Sequence, residues 1–588
     1  MITGVFPNMR HLFPMAVLAA ALSFFAHDVH AQESAEDFYK SGNAKQAKKD
    51  FDGAIADYDK GIALDAKNAD IYNGRGGAKF AKGDVDGAIA DGSKAIELSP
   101  ARGDFYRNRG MAKKTKGDTG GAMADFSRAI KLDPKDSAAF CSRADVEDDT
   151  GDSDAAMADY GHAIEANPKD VNAYNNRGAL KFSRQDWEGA IADFDKVIEL
   201  NPKEISAYSN RAAAKKEKGD IAGAIDDFDK ALALNPKDAE TIFYRGIAKE
   251  AGGDPRGALA DYSSAIELDP KNSGFYNNRG SLHANLGEKE EALADFGKAI
   301  ANDPKDPMGY NNRGTAKNTM GDREGAIADF DRAIALDPRD AAAFGNRAAA
   351  KTEDDPDGAL ADFNRLLELD PKNAGGYYGR GDVKQAKGDL DGAIADFTRA
   401  ITLDPKNPAP YNDRGMAEAD QGNADAALAD YNRCIEINPK NANPYFNRGN
   451  LKMAKHDLKG AISDYDLAIQ IEPRDPDVFI NRGSAKQKVG DLDGAIADFE
   501  KAVGLSPKNA TAYCDLGTVM QAKGRLKEAI AEYDRAIEID PKKAAFYFNR
   551  AGAKRKAGDK AGAAEDYKRA KELDPKLNPP ADVPAANV

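Results

Sequence analysis

A proline recurs along this chain at a fixed step of 34 residues, at 100, 134, 168, 202, 236, 270, 304 and 338, and after one 33-residue step again at 371, 405, 439, 473, 507, 541 and 575. A period of this length marks stacked copies of one small supersecondary unit, so it excludes a single globular core. Counting back from each proline, and from Ala66 which stands in its place at the start, gives sixteen units between Ala35 and Leu577. They begin at 35, 69, 103, 137, 171, 205, 239, 273, 307, 341, 374, 408, 442, 476, 510 and 544.

Each unit reads as two helices. The first opens near an aromatic such as Tyr72, Tyr106, Phe140 or Tyr174, carries a small residue four places on (Gly76, Gly110, Ala144, Gly178), and stops at a Gly-Asp turn such as Gly83-Asp84 or Gly219-Asp220. The second runs through an alanine present in every unit, among them Ala88, Ala122, Ala224, Ala326 and Ala495, with an aromatic four places later. Apolar residues at three and four spacing give each helix one buried face, and the proline breaks the chain before the next unit. One such pair cannot bury its own apolar face, so the units must stack.

At these residues the chain resembles the tetratricopeptide repeat family, whose pattern of small residue, alanine, aromatic, alanine and proline is matched from Ala35 to Leu577. The resemblance implies an all-α fold, a right-handed superhelical solenoid of about 16 helix-turn-helix repeats. It also implies a concave groove, lined by the first helices, that binds peptides or partner proteins. Gly92 and Ile242 depart from the pattern at aromatic positions, and the tenth unit, Ala341 to Asn373, is one residue short at Glu353-Asp354-Asp355-Pro356. A local change of superhelix pitch, without loss of the stack, is the expectation there.

The net charge of −15 argues against a nucleic-acid partner, since phosphate binding needs an excess of clustered Lys and Arg; a basic peptide suits the chain better. Cys141, Cys434 and Cys514 lie in units too far apart to pair within the chain, which leaves an intermolecular pair through Cys514 as the outside case. His162, His283 and His456 stand singly in their units. No convergent set for a metal site, a cofactor or a catalytic triad is visible, and no enzyme activity is expected.

Residues 1–31 differ from all that follows. Arg10 and His11 precede an apolar stretch from Leu12 to Ala26, and Val29-His30-Ala31 offers a small-x-small cleavage site. A signal peptide cleaved after Ala31 is expected, with a bacterial periplasmic or secreted protein as its product. The stretch falls short of the about 20 apolar residues of a membrane span, so stable insertion is not expected. Residues 578–588 read as a disordered tail.

Polar residues repeat as faithfully as the apolar ones. Fourteen units carry arginine just before the small residue of the first helix, such as Arg109, Arg177, Arg279, Arg313 and Arg482, and all sixteen carry an acid just before the second-helix aromatic, such as Asp125, Asp193, Asp295, Asp329 and Asp498. Lysine follows four residues after the arginine position in twelve units, as at Lys113 and Lys317, while unit fifteen has Leu516 and Met520 at the two places. A bridge repeated at every identical interface accounts for this better than a charged ligand surface.

Asparagine precedes that arginine in nine units, as Asn108, Asn176, Asn210, Asn278, Asn312, Asn346, Asn447, Asn481 and Asn549. Asparagine is a poor helix-interior residue, so its recurrence calls for a compensating role. The family resemblance places it facing the groove, where a side-chain amide can both donate to and accept from a peptide main chain. Hydrogen bonding to a neighbouring helix is the alternative. One residue earlier the chain changes from Asn175, Asn277, Asn311 and Asn412 to Phe446, Ile480, Cys514 and Phe548. Phe446, Ile480 and Phe548 would then offer an apolar anchor site, or only close the last units against solvent. The expected function is an exported, non-enzymatic interaction scaffold that holds peptide segments or protein partners in its groove. The alternative is a structural or self-associating spacer of the cell envelope.

Overall fold

The computed structural model describes residues 33–577; the expected signal segment 1–31 and tail 578–588 lie outside the described residues. The described residues form thirty-two α-helices and no strand. They divide between Phe275 and Tyr276 into two compact bodies. Within each body the first helix of a unit packs on the second helix of its own unit, and that second helix packs on the first helix of the next. First helices of successive units also touch one another in most units, whereas second helices do not do so to the same extent. Each body is therefore a solenoid of α-helical hairpins, its first helices forming one layer and its second helices the other.

The turn inside each unit explains why the two helices end where they do. The chain leaves the first helix through a residue in the left-handed region, Gly83 at φ 87° in unit two. Glycine takes that backbone without a Cβ penalty. The next residue then caps the second helix: the Asp84 carboxylate accepts the Gly87 N–H at 2.9 Å. Where Lys49, Gln185 or His456 stands in place of glycine, the same left-handed geometry is kept, with φ from 61° to 63°.

Packing explains the small residue. In unit five Ala190 and Phe194 of the second helix are 0% and 1% exposed. A Cβ built on Gly178 of the first helix would lie 2.8 Å from the Phe194 ring. Only a small residue there lets the helices close, and the buried ring contributes about 1.5–3 kcal/mol that an exposed one would not. In unit two, where Gly92 replaces the aromatic, the stem of Arg109 from the next unit moves into the space; a Cβ on Gly92 would meet Arg109 Cβ at 3.1 Å. In unit seven Phe243 takes over from Ile242 as the buried ring, 5.4 Å from Tyr262 and 4.7 Å from Phe275 between centroids.

The tenth unit loses its left-handed residue. Its first helix, Ala341–Lys351, is only 11 residues long and ends at Thr352 with φ −50° and ψ −40°. Asp355 still caps the second helix through Gly358 N–H at 2.9 Å, and that helix still packs on the first helix of unit eleven. The deletion thus shortens the turn and keeps the stack.

Candidate partner-binding face

The recurring arginine and aspartate form a bidentate pair in fourteen units. In unit nine Arg313 donates from Nε to Asp329 Oδ2 at 2.9 Å and from Nη2 to Oδ1 at 2.7 Å. Asp329 is 5% exposed. Burial alone would raise its pKa, but hydrogen bonds from Arg313 and Lys317 outweigh it and hold the carboxyl below its ordinary value. The lysine is part of the same bridge: Lys317 Nζ lies 2.8 Å from Asp329 Oδ2.

The arginine also reaches backwards. Arg211 uses Nη1 to hold Asp195 of the preceding second helix at 2.5 Å, and Arg75 reaches Asp59, Arg245 reaches Asp229 and Arg414 reaches Thr398 in the same way. One planar guanidinium thus joins three helices of two units, while its face lies over the aromatic one turn earlier, 5.7 Å from the Tyr208 ring centroid for Arg211. This backward contact has no fixed residue type, since Asp, Ser, Asn and Thr all serve, so it has no signature in the sequence. It lapses where Gly161 and Gly297 stand before Arg177 and Arg313.

Four units depart at the lysine position. In unit eight His283 stands there, its Nδ1 2.6 Å from Glu288. Unit fifteen is apolar, with Leu516 and Met520 2% and 3% exposed, and burial pushes the Glu532 carboxyl up in the absence of its arginine. Units four and twelve carry Glu147 and Glu418. Each sets a carboxylate against the bridging aspartate, with a buried Oε2 that has no hydrogen-bond partner. Burial, then the charge of Asp159, pushes Glu147 up to about 7.

The asparagines sit one residue earlier on the first helix, and most donate to the first helix of the unit before. Asn108 Nδ2 reaches Asn73 Oδ1 at 3.0 Å, Asn176 reaches Asp145 at 3.1 Å and Asn210 reaches Asn175 at 3.5 Å. Asn346 reaches Asn311 at 3.0 Å, Asn447 reaches Asn412 at 3.1 Å and Asn481 reaches Asn450 at 3.0 Å. Asn549 donates to the Cys514 sulfur at 3.2 Å, Asn278 is also engaged, and Asn312 is half-buried at the same register. The bonding to a neighbouring helix that the sequence left open is therefore present. Asn346 also donates to Thr315 Oγ1 at 3.4 Å, whereas Asn108 and Asn481 each make the one bond named, and an amide carries two N–H donors and two acceptor lone pairs.

The apolar residues beside the later asparagines are half-buried. Phe446 leans on Tyr465 with centroids 6.1 Å apart, Phe548 meets Tyr567 edge-on at 5.2 Å, and Ile480 packs against the apolar cluster around Phe499. All three cysteines are free and buried, and burial raises their thiol pKa values, Cys434 to about 11, so none is primed as a nucleophile.

Sequence reading missed a shallow pocket of about 290 Å³ beside the shortened turn, walled by Ala349, Glu353, Phe363, Gly379 and Asp382. Only the departures from the repeat, taken together, point to it. Among the described residues no cluster of metal-ligating side chains occurs, and no helix is long and apolar enough to cross a membrane.

Stacked helical hairpins, locked by three-way arginines and presenting amides on one layer, define a helical repeat scaffold. Family models bear this out along the chain. One described as TPR repeat matches residues 42–83, 381–422, 415–455, 488–524 and 521–558, and others described as tetratricopeptide repeat match 104–136, 137–170, 171–204, 205–238, 243–307, 309–340 and 544–577. The chain belongs to the tetratricopeptide repeat family, whose members are in general non-catalytic scaffolds that bind protein or peptide partners. No curated protein matches it by sequence. Among solved structures it is similar to yeast Tom70, with 20% identity, 69% of this chain and 97% of that one covered, and a TM-score of 0.36. It is also similar to Cut9 with Hcn1 of the APC/C, with 15% identity, coverage of 83% and 96%, and a TM-score of 0.41. A tetratricopeptide repeat protein from Parabacteroides merdae shares 21% identity over 42% of this chain and 98% of its own, with a TM-score of 0.35.

Proposed function

We propose that this chain is an exported scaffold that performs no chemistry of its own and holds an extended, basic peptide segment of a partner along the asparagine-bearing layer of its first helices. One observation carries the reading: asparagine, disfavoured inside helices, recurs at a single register, and at Asn108 and Asn481 one bond to the preceding unit leaves part of the amide over. The arginines and lysines, by contrast, are taken up by the bridges within the stack. A net charge of −15 favours a basic segment, and the apolar stretch from Leu12 to Ala26 before Val29-His30-Ala31 supports export.

Replacing Asn278, Asn312 and Asn346 together by alanine tests the groove. Binding of a panel of unrelated basic peptides should weaken by a similar factor across the panel, with helicity unchanged or higher. Unaltered binding, together with an oligomer in sedimentation without ligand, would shift the assignment to a self-associating envelope spacer. Export is tested separately: the N-terminal sequence of the secreted form should start at Gln32, and a start at Met1 would overturn cleavage.

A further inference from the structure

We propose that the pocket at the shortened tenth unit seats the cationic end of a lysine or arginine side chain from a partner's basic segment. The proposal rests on the reading that the first-helix layer carries the partner. The position two residues after the arginine shows how the pocket acquires its charge. In unit four Asp145 is satisfied there by Asn176 of the next unit, and in unit thirteen Asn450 is satisfied by Asn481. In unit eleven the residue at that position is Asp382, but the next unit places Asp413 where the asparagine would be. A carboxylate cannot donate, and Asp413 instead accepts the Tyr378 hydroxyl at 2.7 Å. Asp382 is left half-buried, without a hydrogen bond or ion pair, facing a second negative charge.

The walls suit a long aliphatic stem with a charged tip. Gly379 occupies the ladder register, and a Cβ on it would lie 2.5 Å from Phe363 Cζ, so the glycine leaves the aromatic ring open to the pocket. A volume of about 290 Å³ lies at the small end for ligand sites and accommodates one side chain better than a cofactor-sized molecule. A lysine or arginine stem can lie along Phe363 while its tip meets the Asp382 carboxylate. The nearby cation, Arg323, is already engaged, 2.6 Å from Glu353 and 3.5 Å from Asp354.

The test uses the full chain and fluorescein-labelled octalysine, read by anisotropy at pH 8. Asp382→Asn, nearly isosteric, is compared with Asp477→Asn, which removes an equal charge from an exposed first-helix position. The pocket predicts about a tenfold loss of affinity for the first and less than about twofold for the second. Equal small losses would overturn it and show binding to the acidic surface at large. The triple asparagine variant separates the two readings: weakened binding there with Asp382→Asn inert rejects the pocket and keeps the groove, and unchanged binding in both rejects both.

Discussion

Arg211 grips Asp227 with two parallel bonds, Nε to Oδ2 at 2.7 Å and Nη2 to Oδ1 at 2.6 Å, and the aspartate it grips is 0% exposed. Lys215 adds a third cationic contact at 2.7 Å. Removing one partner of a buried pair costs far more than the pair itself contributes, because the charge left behind stays desolvated.

Arg211→Ala should therefore be more destabilising than Arg313→Ala. Both strand a buried aspartate, but Arg211 also loses Asp195, whereas Arg313 has Gly297 at the corresponding place. The remaining lysine should hold each loss below the about 3–5 kcal/mol of a fully broken buried pair, and Lys317→Ala should cost less than Arg313→Ala. Hydrogen exchange localised to each unit measures all three; equal protection in the two arginine variants would refute the three-helix clamp.

Acid should loosen the bridges of Asp329 and Asp396 together. Asp329 and Asp396 are held below the ordinary carboxyl range against the pull of burial, by Arg313 with Lys317 and by Arg380 with Lys384. A depressed folded pKa gives stability that is complete above the unfolded value of about 3.9 and is lost as pH falls through the folded one. Helicity should hold down to about pH 4 and decline below it. A melt already complete at pH 5 would contradict this.

Glu147→Lys should stabilise unit four at neutral pH. The native carboxyl is raised to about 7 by burial and by Asp159, so the folded state prefers the proton. Stability falls as pH rises from the unfolded value of about 4.3 and the penalty is complete above the folded one. Lysine at this place meets the bridging aspartate in twelve other units and would remove the orphaned buried oxygen, worth about 1–3 kcal/mol. The gain in exchange protection over Ser137–Ala166 should shrink between pH 8 and pH 5; a gain independent of pH would sink the account.

Octalysine binding should weaken as the solution is acidified. Burial, then Asp413, raises Asp382 to about 7, and an ion pair there requires the proton to leave. Below that pH affinity should fall toward the level of Asp382→Asn, about tenfold in all, and Asp382→Asn should flatten the profile. Tyr378, Asp413, Glu353 and Arg323 also face this region, and a profile unchanged in Asp382→Asn would show that Asp382 is not the group that titrates.

Replacing Phe446 and Phe548 by alanine should lose only peptides that present an apolar residue, since pocket contacts carry selectivity and main-chain contacts do not. A uniform loss across a peptide panel, matching that of the asparagine triple variant, would show that the two rings support the helices instead.

The period, the caps and the bidentate bridge were legible because each rests on one residue type at one spacing. Gly83 and Asp84 mark the turn by themselves, and Arg313 with Asp329 recurs as a fixed pair. The backward reach of Arg211 was hidden because its acceptor changes identity from unit to unit and shares only an oxygen. Lysine read as a neighbour of the bridge, and only coordinates place Lys317 on the same carboxylate. The asparagines stayed open because an amide can serve a neighbouring helix and a ligand at once. The pocket was illegible for a different reason: it arises where a deleted turn residue, Gly379 and Asp413 coincide, and no repeat pattern describes a coincidence.

The glycines at 161 and 297 make the array an uneven spring. In most other units the arginine ties its unit to the one before, but Arg177 and Arg313 find no side chain at 161 and 297 to hold, and Leu516 replaces the arginine in unit fifteen. Stretched from its ends in an optical trap, the chain should part first at these three joints and lengthen in blocks of several units, with Gly161→Asp and Gly297→Asp raising the force of the steps at their own joints.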